Sequence, residues 1–176
     1  MTSDAAMERL KYYSGQILSV ADLTAEQDYF LAKHRLHNRF LHGWGVVSGL
    51  TVATAGPSEV KIDPGLALDA AGNEILVREQ VRLQILPSAD LLFVVLGYSE
   101  TETTSIPNPS PTTTSDELIY TRIKEGYRLE IVDVEPANDQ SGTSDCGATQ
   151  SVWIAQLRKG LKGWKVSLRG RRKVHL

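Results

Sequence analysis

The stretch from Tyr12 to Leu50 constrains the fold of this chain more than any other part of it. It contains a run free of Gly and Pro that is long enough for about five helical turns. Thr24 and Gln27 have the spacing of a capping box, which starts a helix. Gly43 offers a stop, because glycine accepts the left-handed conformation that ends many helices. The pattern predicts one long α-helix over about residues 22–42.

One face of the predicted helix is apolar. Ala25, Tyr29, Ala32, Leu36 and Phe40 recur at spacings of three and four residues, which places them on a single stripe. Such a stripe needs an apolar cover, so we expect this helix to be an assembly element. The residues expected to make its packing contacts are Tyr29, Leu36, Phe40, Leu41 and Trp44.

The remainder of the chain consists of short β-prone runs separated by turns. Val46–Val52 is rich in β-branched residues and predicts a strand. The segment from Ala70 to Asn73 is a hairpin signal between two apolar runs. Leu91–Leu96 is apolar throughout, as in a central strand covered on both faces. These features predict an α+β fold, mainly antiparallel β with one long N-terminal helix, and leave open whether the sheet forms a sandwich or a barrel.

We expect a single β-rich domain over residues 11–169, after a flexible N-terminal arm over residues 1–10. Residues 101–116 are rich in Thr, Ser and Pro and predict a mobile loop. Residues 136–149 form a second polar loop in this interpretation. Residues 170–176 are a basic tail, expected to be loose unless a partner holds it.

Charge is distributed unevenly. The chain has 19 Lys and Arg and 21 Asp and Glu, and no acidic residue follows Asp145. A basic end on an acidic body favours docking to an acidic neighbour or head-to-tail self-association. The residues expected to provide this docking surface are Lys162, Lys165, Arg169, Arg171 and Arg172.

Composition indicates the cellular context. The longest apolar run, Leu91–Leu96, is far too short for a membrane span, and the N-terminus lacks the apolar segment of a secretory signal. The single cysteine, Cys146, excludes an internal disulfide. We therefore expect assembly in the cytoplasm.

The chemistry of the side chains does not predict an enzyme or a cofactor site. His34, His37 and His42 return to similar helix faces, but Arg35 and Arg39 bring positive charge that disfavours a bound cation. We expect hydrogen-bonded histidines there, and no metal.

Two other candidate sites have simpler structural explanations. Asp63 and Asp69 have the positions of turn-capping carboxylates at strand ends. Trp164 alternates with Val166 and Leu168, which favours a core position over a stacking platform for nucleic acid. We expect neither catalysis nor nucleic-acid binding.

The motifs LHNRFLHGWGVVSGL (Leu36–Leu50) and PGLALDAAGNEILV (Pro64–Val77) are long and compositionally unusual. With GQIL near the N-terminus and, more loosely, EGYRLEIVDVEP (Glu125–Pro136), they resemble a family of structural proteins from phage-tail-like contractile injection systems. Members of that family lie at the baseplate or tail-fibre end of the particle. The resemblance implies a particle component, and it carries no catalytic residues over to this chain.

Two hypotheses remain open. In the first, the chain is a structural subunit that binds other subunits of the particle and itself as a homo-oligomer, a trimer being one form, in a particle that is either released or membrane-anchored. In the second, the chain is a receptor- or glycan-binding module at the fibre end, which uses the loops at residues 101–116 and 136–149.

Overall fold

The computed structural model describes residues 7–86, 89–107, 118–135, 151–161 and 163–174. One long helix, α1 (Val20–His37), continues into a π-helical segment, Asn38–His42. Ten strands follow: β1 (Gly45–Gly49), β2 (Val52–Gly56), β3 (Glu59–Ile62), β4 (Gly65–Leu68), β5 (Glu74–Val77), β6 (Val81–Gln84), β7 (Leu91–Pro107), β8 (Leu118–Val132), β9 (Ser151–Gly160) and β10 (Gly163–Ser167). The α+β fold with mainly antiparallel strands and one N-terminal helix is confirmed.

The helix begins earlier than its predicted cap. Ser19 Oγ accepts a hydrogen bond from the backbone N–H of Asp22 at 3.1 Å, and the Asp22 carboxylate accepts one from the N–H of Ser19 at 2.9 Å. This reciprocal capping box starts α1 at Val20 and replaces the one expected at Thr24 and Gln27. The predicted stop is confirmed, since Gly43 ends the helical segment with a φ of 72°.

The described strands form three sheets around a shared core. Their orders are β1-β4-β5, β2-β3-β6 and β10-β9-β7-β8. Within the described residues every strand-to-strand pairing is antiparallel. The AAGN hairpin is present as predicted, with Gly65 of β4 opposite Val77 of β5.

The strand β7 is central, as its apolar run predicted. Leu92, Val94 and Leu96 point into the main core, which also takes residues from the other two sheets. Phe93 and Val95 point to the other face and pack with Trp153 of β9 in a second buried cluster. The Phe93 and Trp153 rings meet edge to face, 5.9 Å apart. Both faces of this strand are therefore covered, which makes the body rigid.

The predicted single strand Val46–Val52 is instead two strands in different sheets. The chain turns between them at Gly49 and Leu50, whose φ angles are 62° and 51°. A Cβ on Gly49 would overlap the carbonyl oxygen of Pro64, so only glycine fits this close backbone approach. The turn moves the chain from the β1 sheet to the β2 sheet.

The expected mobile loop needs correction over part of its length. Residues 101–107 are the outer part of β7, and they pair with β8 as far as Pro107 opposite Leu118. Residues 108–116 lie outside the described part of the chain, as do the second expected loop, 136–149, and residues 1–6 of the expected N-terminal arm. The Thr-rich composition was interpreted as disorder, yet threonine is β-branched and favours strands. Pairing of β7 with β9 ends at Gly97, so the outer halves of β7 and β8 continue as a two-stranded ribbon.

The described part of the basic tail, residues 170–174, is attached to the body, contrary to expectation. The N–H of Val46 donates to the carbonyl of Arg172 at 2.8 Å, and the N–H of Val174 donates to the carbonyl of Val46 at 3.0 Å. These bonds add Lys173 beside Val46 as a parallel bridge. Such a long-range backbone contact leaves no local sequence pattern, which is why the tail was expected to be loose.

Candidate assembly interface

The helix α1 carries large apolar side chains that the described residues do not cover. Within the part of the chain that the structure describes, no residue of α1 is buried. Phe30 is 60% exposed, and Phe40 and Leu41 in the π-helical segment are 73% and 67% exposed. Monomeric proteins rarely leave contiguous apolar surface of this kind in water. The helix is therefore the leading candidate for a protein interface.

The apolar residues of α1 lie on two opposite sides, as follows from a rotation of about 100° per residue. The outer stripe consists of Ala25, Tyr29, Ala32 and Leu36, and the helical turn carries it on towards Phe40. The opposite side contains Leu23, Phe30 and Leu31. Leu31 lines the cleft between helix and body, so the outer stripe faces away from the body.

A small set of contacts holds the C-terminal end of α1 to the hairpin between β4 and β5. Asn38 is buried, and its Nδ2 donates to the carbonyl of Gly72 at 2.9 Å. A Cβ on Gly72, whose φ is 91°, would overlap the carbonyl oxygen of Arg35. Asn38 and Gly72 thus connect the C-terminal end of α1 to the β4–β5 hairpin, and we call this contact the joint. Asp69 shapes the hairpin by accepting hydrogen bonds from the N–H groups of Ala71 and Asn73, each at 2.9 Å.

Polar side-chain contacts complete this joint around a cleft of about 170 Å³. His34 Nε2 lies 3.0 Å from the carboxylate of Glu74, and Arg35 lies 3.3 Å from that of Glu100. The Tyr98 hydroxyl donates to Glu100 at 2.9 Å. Burial raises the pKa of Tyr98, and the hydrogen bond to Glu100 raises it further. These ionisable groups contact one another across the cleft, which is the arrangement of a structural joint.

The residues predicted for packing divide into two groups. Leu36, Phe40 and Leu41 are exposed and Tyr29 is half-buried, so all four lie on the helical segment that projects from the body. Trp44 instead packs against the main core from the edge. Its indole N–H is buried and has no hydrogen-bond partner among the residues with described positions.

The residues predicted for basic docking also divide. Arg172 lies over the ring of Trp44, with its Cζ 4.4 Å from the ring centroid, and Arg171 donates to the carbonyl of Leu50 at 3.0 Å. These two side chains hold the tail to the body. Lys165 and Arg169 are exposed on and after β10, and Lys162 lies outside the described residues. Docking by the exposed members remains a prediction.

The stacking of Arg172 on Trp44 has a measurable stability effect. We expect Arg172→Ala to lower the free energy of unfolding by about 1 kcal/mol, because it removes a partly desolvated cation–π contact. Arg169→Ala is the matched control, since Arg169 is exposed two residues after β10, and it should change stability by less than about 0.5 kcal/mol. Urea unfolding followed by tryptophan fluorescence measures both, and equal effects would contradict the assigned contact.

The predicted histidine interactions are partly present. Nε2 of His37 and Nε2 of His42 lie 3.3 Å apart, because the π-helical turn brings residues five apart together. His34 pairs with Glu74.

Among the described residues, no group of three or more His, Cys, Asp or Glu side chains could hold a metal ion. Likewise, none of the helices described is long and apolar enough to cross a membrane.

The cap of α1 predicts a pH dependence. Hydrogen bonds from the Ser19 side chain and backbone lower the pKa of Asp22 below its usual 3.8. A lowered folded-state pKa means that the cap stabilises the helix above about pH 4 and that this contribution is lost as the pH falls through the folded value. We expect helical circular dichroism to fall in that acidic range in the wild type. In Asp22→Asn this part of the titration should be absent.

The structure reveals a second apolar surface that the sequence patterns did not indicate. At the outer end of the β7–β8 ribbon, several large side chains are exposed: Ile106, Leu118, Ile119, Tyr120 and Ile123. An isolated two-stranded ribbon is marginally stable in water, so contacts at this end would stabilise it. The run Leu118–Tyr120 was the available signal, since three large apolar residues beside a polar loop are unusual.

Comparison with known proteins gives the fold a context. No family model matches the chain, and no curated protein sequence matches it. Among solved structures, a chain of the type VI secretion system TssK–TssF–TssG baseplate subcomplex aligns with a TM-score of 0.53 at 11% identity, over 92% of this chain and 60% of its own. A chain of the baseplate complex from the type VI secretion system aligns with a TM-score of 0.53 at 12% identity, over 92% of this chain and 58% of its own. The crystal structure of TssK aligns with a TM-score of 0.52 at 11% identity, over 92% of this chain and 41% of its own.

These likenesses concern the fold. The chain spans 41% to 60% of the length of the structures it matches, and the identities are too low to carry residue roles across. All three structures come from the baseplate of the type VI secretion system or from a protein of that baseplate. The fold of this chain is thus one that occurs in baseplate structures of the type VI secretion system.

Proposed function

We propose that the chain is a structural subunit of a contractile injection particle, in the baseplate or at the tail-fibre end, and that it acts by protein–protein assembly without catalysing a reaction. The observation that carries this proposal is the exposed apolar surface of α1 and the π-helical segment, with Phe40 73% exposed. The motif resemblance to phage-tail-like systems and the fold likeness to type VI baseplate structures support it independently.

The mechanical role follows from the way the helix is attached. The β body has a core shared by three sheets, and α1 projects from it on a joint made by Asn38, Gly72, the Arg35–Glu100 ion pair and the contact between His34 and Glu74. A projecting helix with an uncovered apolar stripe can bind a neighbouring subunit while the body keeps its shape. Interfaces built this way are obligate and hydrophobic, and together they bury more than about 2,000 Å².

The partners in this proposal are other subunits of the particle and further copies of this chain. The homo-oligomer, of which a trimer is one form, assembles in the cytoplasm before it joins the particle. The ribbon end and the exposed basic residues Lys165 and Arg169 provide further contact surfaces. The receptor-binding hypothesis relied on loops that lie largely outside the described residues, and it remains a prediction.

Co-sedimentation tests the proposed function. Particles from cells that produce this chain are purified on a density gradient and probed with an antibody against it. We expect the chain in the particle fraction at a fixed ratio to the sheath protein, and in a Phe40→Asp strain we expect it only in the soluble fraction. A wild-type chain that is absent from intact particles would contradict the proposal.

A further inference from the structure

We propose that His37 and His42 form a binding site for a zinc ion on the π-helical segment. Each histidine supplies its Nε2 as a ligand, and water molecules complete a tetrahedral set of four. The inference goes beyond the proposed function and does not depend on it, because the site consists of two side chains of one chain. It places a metal where the residue pattern predicted only hydrogen-bonded histidines.

The π-helical turn brings the two histidines together. On a regular α-helix, residues five apart are rotated by about 140° from each other, so their side chains point in different directions. The π-helical segment Asn38–His42 has a wider turn, and Nε2 of His37 lies 3.3 Å from Nε2 of His42. Single π-helical turns are rare and occur frequently at functional sites. The rare turn therefore creates a pair of ligands that an α-helical turn would keep apart.

The distance between the two nitrogens fits a zinc ion better than a hydrogen bond. Zinc–nitrogen bonds of about 2.0 to 2.1 Å at the tetrahedral angle place two imidazole nitrogens about 3.3 to 3.4 Å apart. A hydrogen bond from an N–H group to an oxygen acceptor usually has a length of about 2.7 to 3.2 Å. The observed separation of 3.3 Å between the two Nε2 atoms has the zinc value.

The orientation of the two rings agrees with the distance. Each Nε2 lies about 1.15 Å from the centroid of its ring, so two rings that aim at one tetrahedral zinc ion have centroids about 5.2 Å apart. Rings that point their nitrogens straight at each other across the same gap, as in a linear hydrogen bond, would have centroids about 5.6 Å apart. The observed centroids are 5.1 Å apart. The two nitrogens therefore converge on a point beside the line that joins them, where an ion can bind.

The arginines that were expected to disfavour a cation are engaged elsewhere. Arg35 lies 3.3 Å from the carboxylate of Glu100 in the joint. The guanidinium carbon of Arg39 lies 5.6 Å from the centroid of the Phe40 ring. Both positive charges thus have partners of their own, which removes the electrostatic objection to a metal at this end of the helix.

The surroundings of the pair also suit zinc. His37 is exposed and His42 is half-buried, so water reaches the open coordination positions. Imidazole nitrogen is a ligand that zinc prefers, whereas magnesium and calcium prefer oxygen. Phe40 and Leu41 lie between the two ligands and are 73% and 67% exposed. A zinc ion that joins both ends of this turn would hold these apolar side chains in one conformation.

Isothermal titration calorimetry with zinc chloride, on the full-length chain without a histidine tag, tests the site. We expect one ion per chain with a Kd of about 1 to 100 μM, since two protein ligands bind zinc more weakly than the four of a structural site. His37→Gln and His42→Gln should each weaken binding by at least about tenfold, because each removes one of the two protein ligands. His34→Gln is the matched control. Its side chain contacts Glu74, and the variant should keep the wild-type Kd within about threefold.

Each of the other calorimetric outcomes counts against the inference. Binding that is equally strong in His37→Gln, in His42→Gln and in the wild type would place the ligands elsewhere in the chain. The absence of binding at millimolar zinc would overturn the site outright. One ion per two chains would show that a second copy supplies the remaining ligands, and would overturn the site completed by water. All three results leave the proposed function standing, because co-sedimentation with particles measures assembly separately.

Thermal unfolding separates the zinc site from a plain hydrogen bond. Zinc at about ten times its Kd should raise the melting temperature of the wild type by about 3 to 6 °C. It should leave the melting temperatures of His37→Gln and His42→Gln unchanged, and circular dichroism checks that both variants are folded. If the histidines only share a hydrogen bond, either substitution changes stability but zinc has no effect. A wild-type melting temperature that does not respond to zinc would therefore overturn the inference.

Discussion

Replacing Phe40 with Asp is expected to convert the purified chain from an oligomer into a folded monomer. Phe40 is 73% exposed in the single chain, so the change should leave the body intact. In the assembly its ring would be covered, and an aspartate there would be a buried, unpaired charge. Truncations at the centre of interfaces cost about 2 to 4 kcal/mol, and an unpaired charge costs at least as much. Sedimentation velocity measures the loss of association.

Leu161→Asp is the matched control for this substitution. Leu161 is also a highly exposed apolar residue, in the turn between β9 and β10. Since it is far along the chain from α1 and lies in another part of the fold, the control variant should keep the wild-type sedimentation coefficient. A Phe40→Asp chain that sediments like the wild type would show that the helical segment is not the interface.

Gly72→Ala is expected to release α1 from the body. The added Cβ would overlap the backbone carbonyl of Arg35, and the residue has a φ of 91°. The backbone atoms cannot yield as a flexible side chain could, so the hairpin and the helix must separate. We expect a loss of about 3 kcal/mol or more in the free energy of unfolding, with faster hydrogen exchange across Val20–His37.

Gly163→Ala separates the two causes of this effect. Gly163 has a φ of 111°, and among the described atoms nothing lies within 4 Å of the position that an added Cβ would take. The substitution Gly163→Ala therefore has the conformational penalty of about 1 to 2 kcal/mol for a side chain at positive φ, without a steric clash of the added Cβ. A Gly72→Ala variant no more destabilised than Gly163→Ala, with unchanged exchange in α1, would contradict the joint between helix and hairpin.

Local patterns predicted the elements that local forces determine. The helix, its end at Gly43 and the β4–β5 hairpin all depend on residues within a few positions of one another. The cap was misplaced because two segments offer a capping box, and the Ser19–Asp22 pair forms while the Thr24–Gln27 pair falls inside the helix. The double coverage of β7 could also be predicted, since residues 91–96 contain no polar side chain.

Long-range contacts were not predictable from the residues alone. The attachment of the tail depends on a backbone pairing between Val46 and Lys173, which are more than a hundred positions apart. The joint at Asn38 and Gly72 connects two motifs that are separate in the sequence. For the same reason, Arg171 and Arg172 were assigned only to docking, whereas their side chains contact Leu50 and Trp44.

The sequence predicted which residues of the helix form the apolar stripe of the candidate interface, but not how the helix is placed on the folded protein. The spacing of Tyr29, Leu36 and Phe40 gave the outer face of the helix. The same helical rotation places Leu23, Phe30 and Leu31 on the opposite side, but the spacing did not reveal that the helix projects from the body. That property depends on where the helix is attached, and the attachment is a tertiary contact.

Light scattering on the purified wild-type chain tests the central claim most directly. The claim is that the uncovered apolar surface of α1 binds further copies of the chain. It predicts a mass of at least twice 19.4 kDa, at a whole-number multiple that stays constant over a wide range of concentration. A mass of 19.4 kDa at every concentration would contradict it.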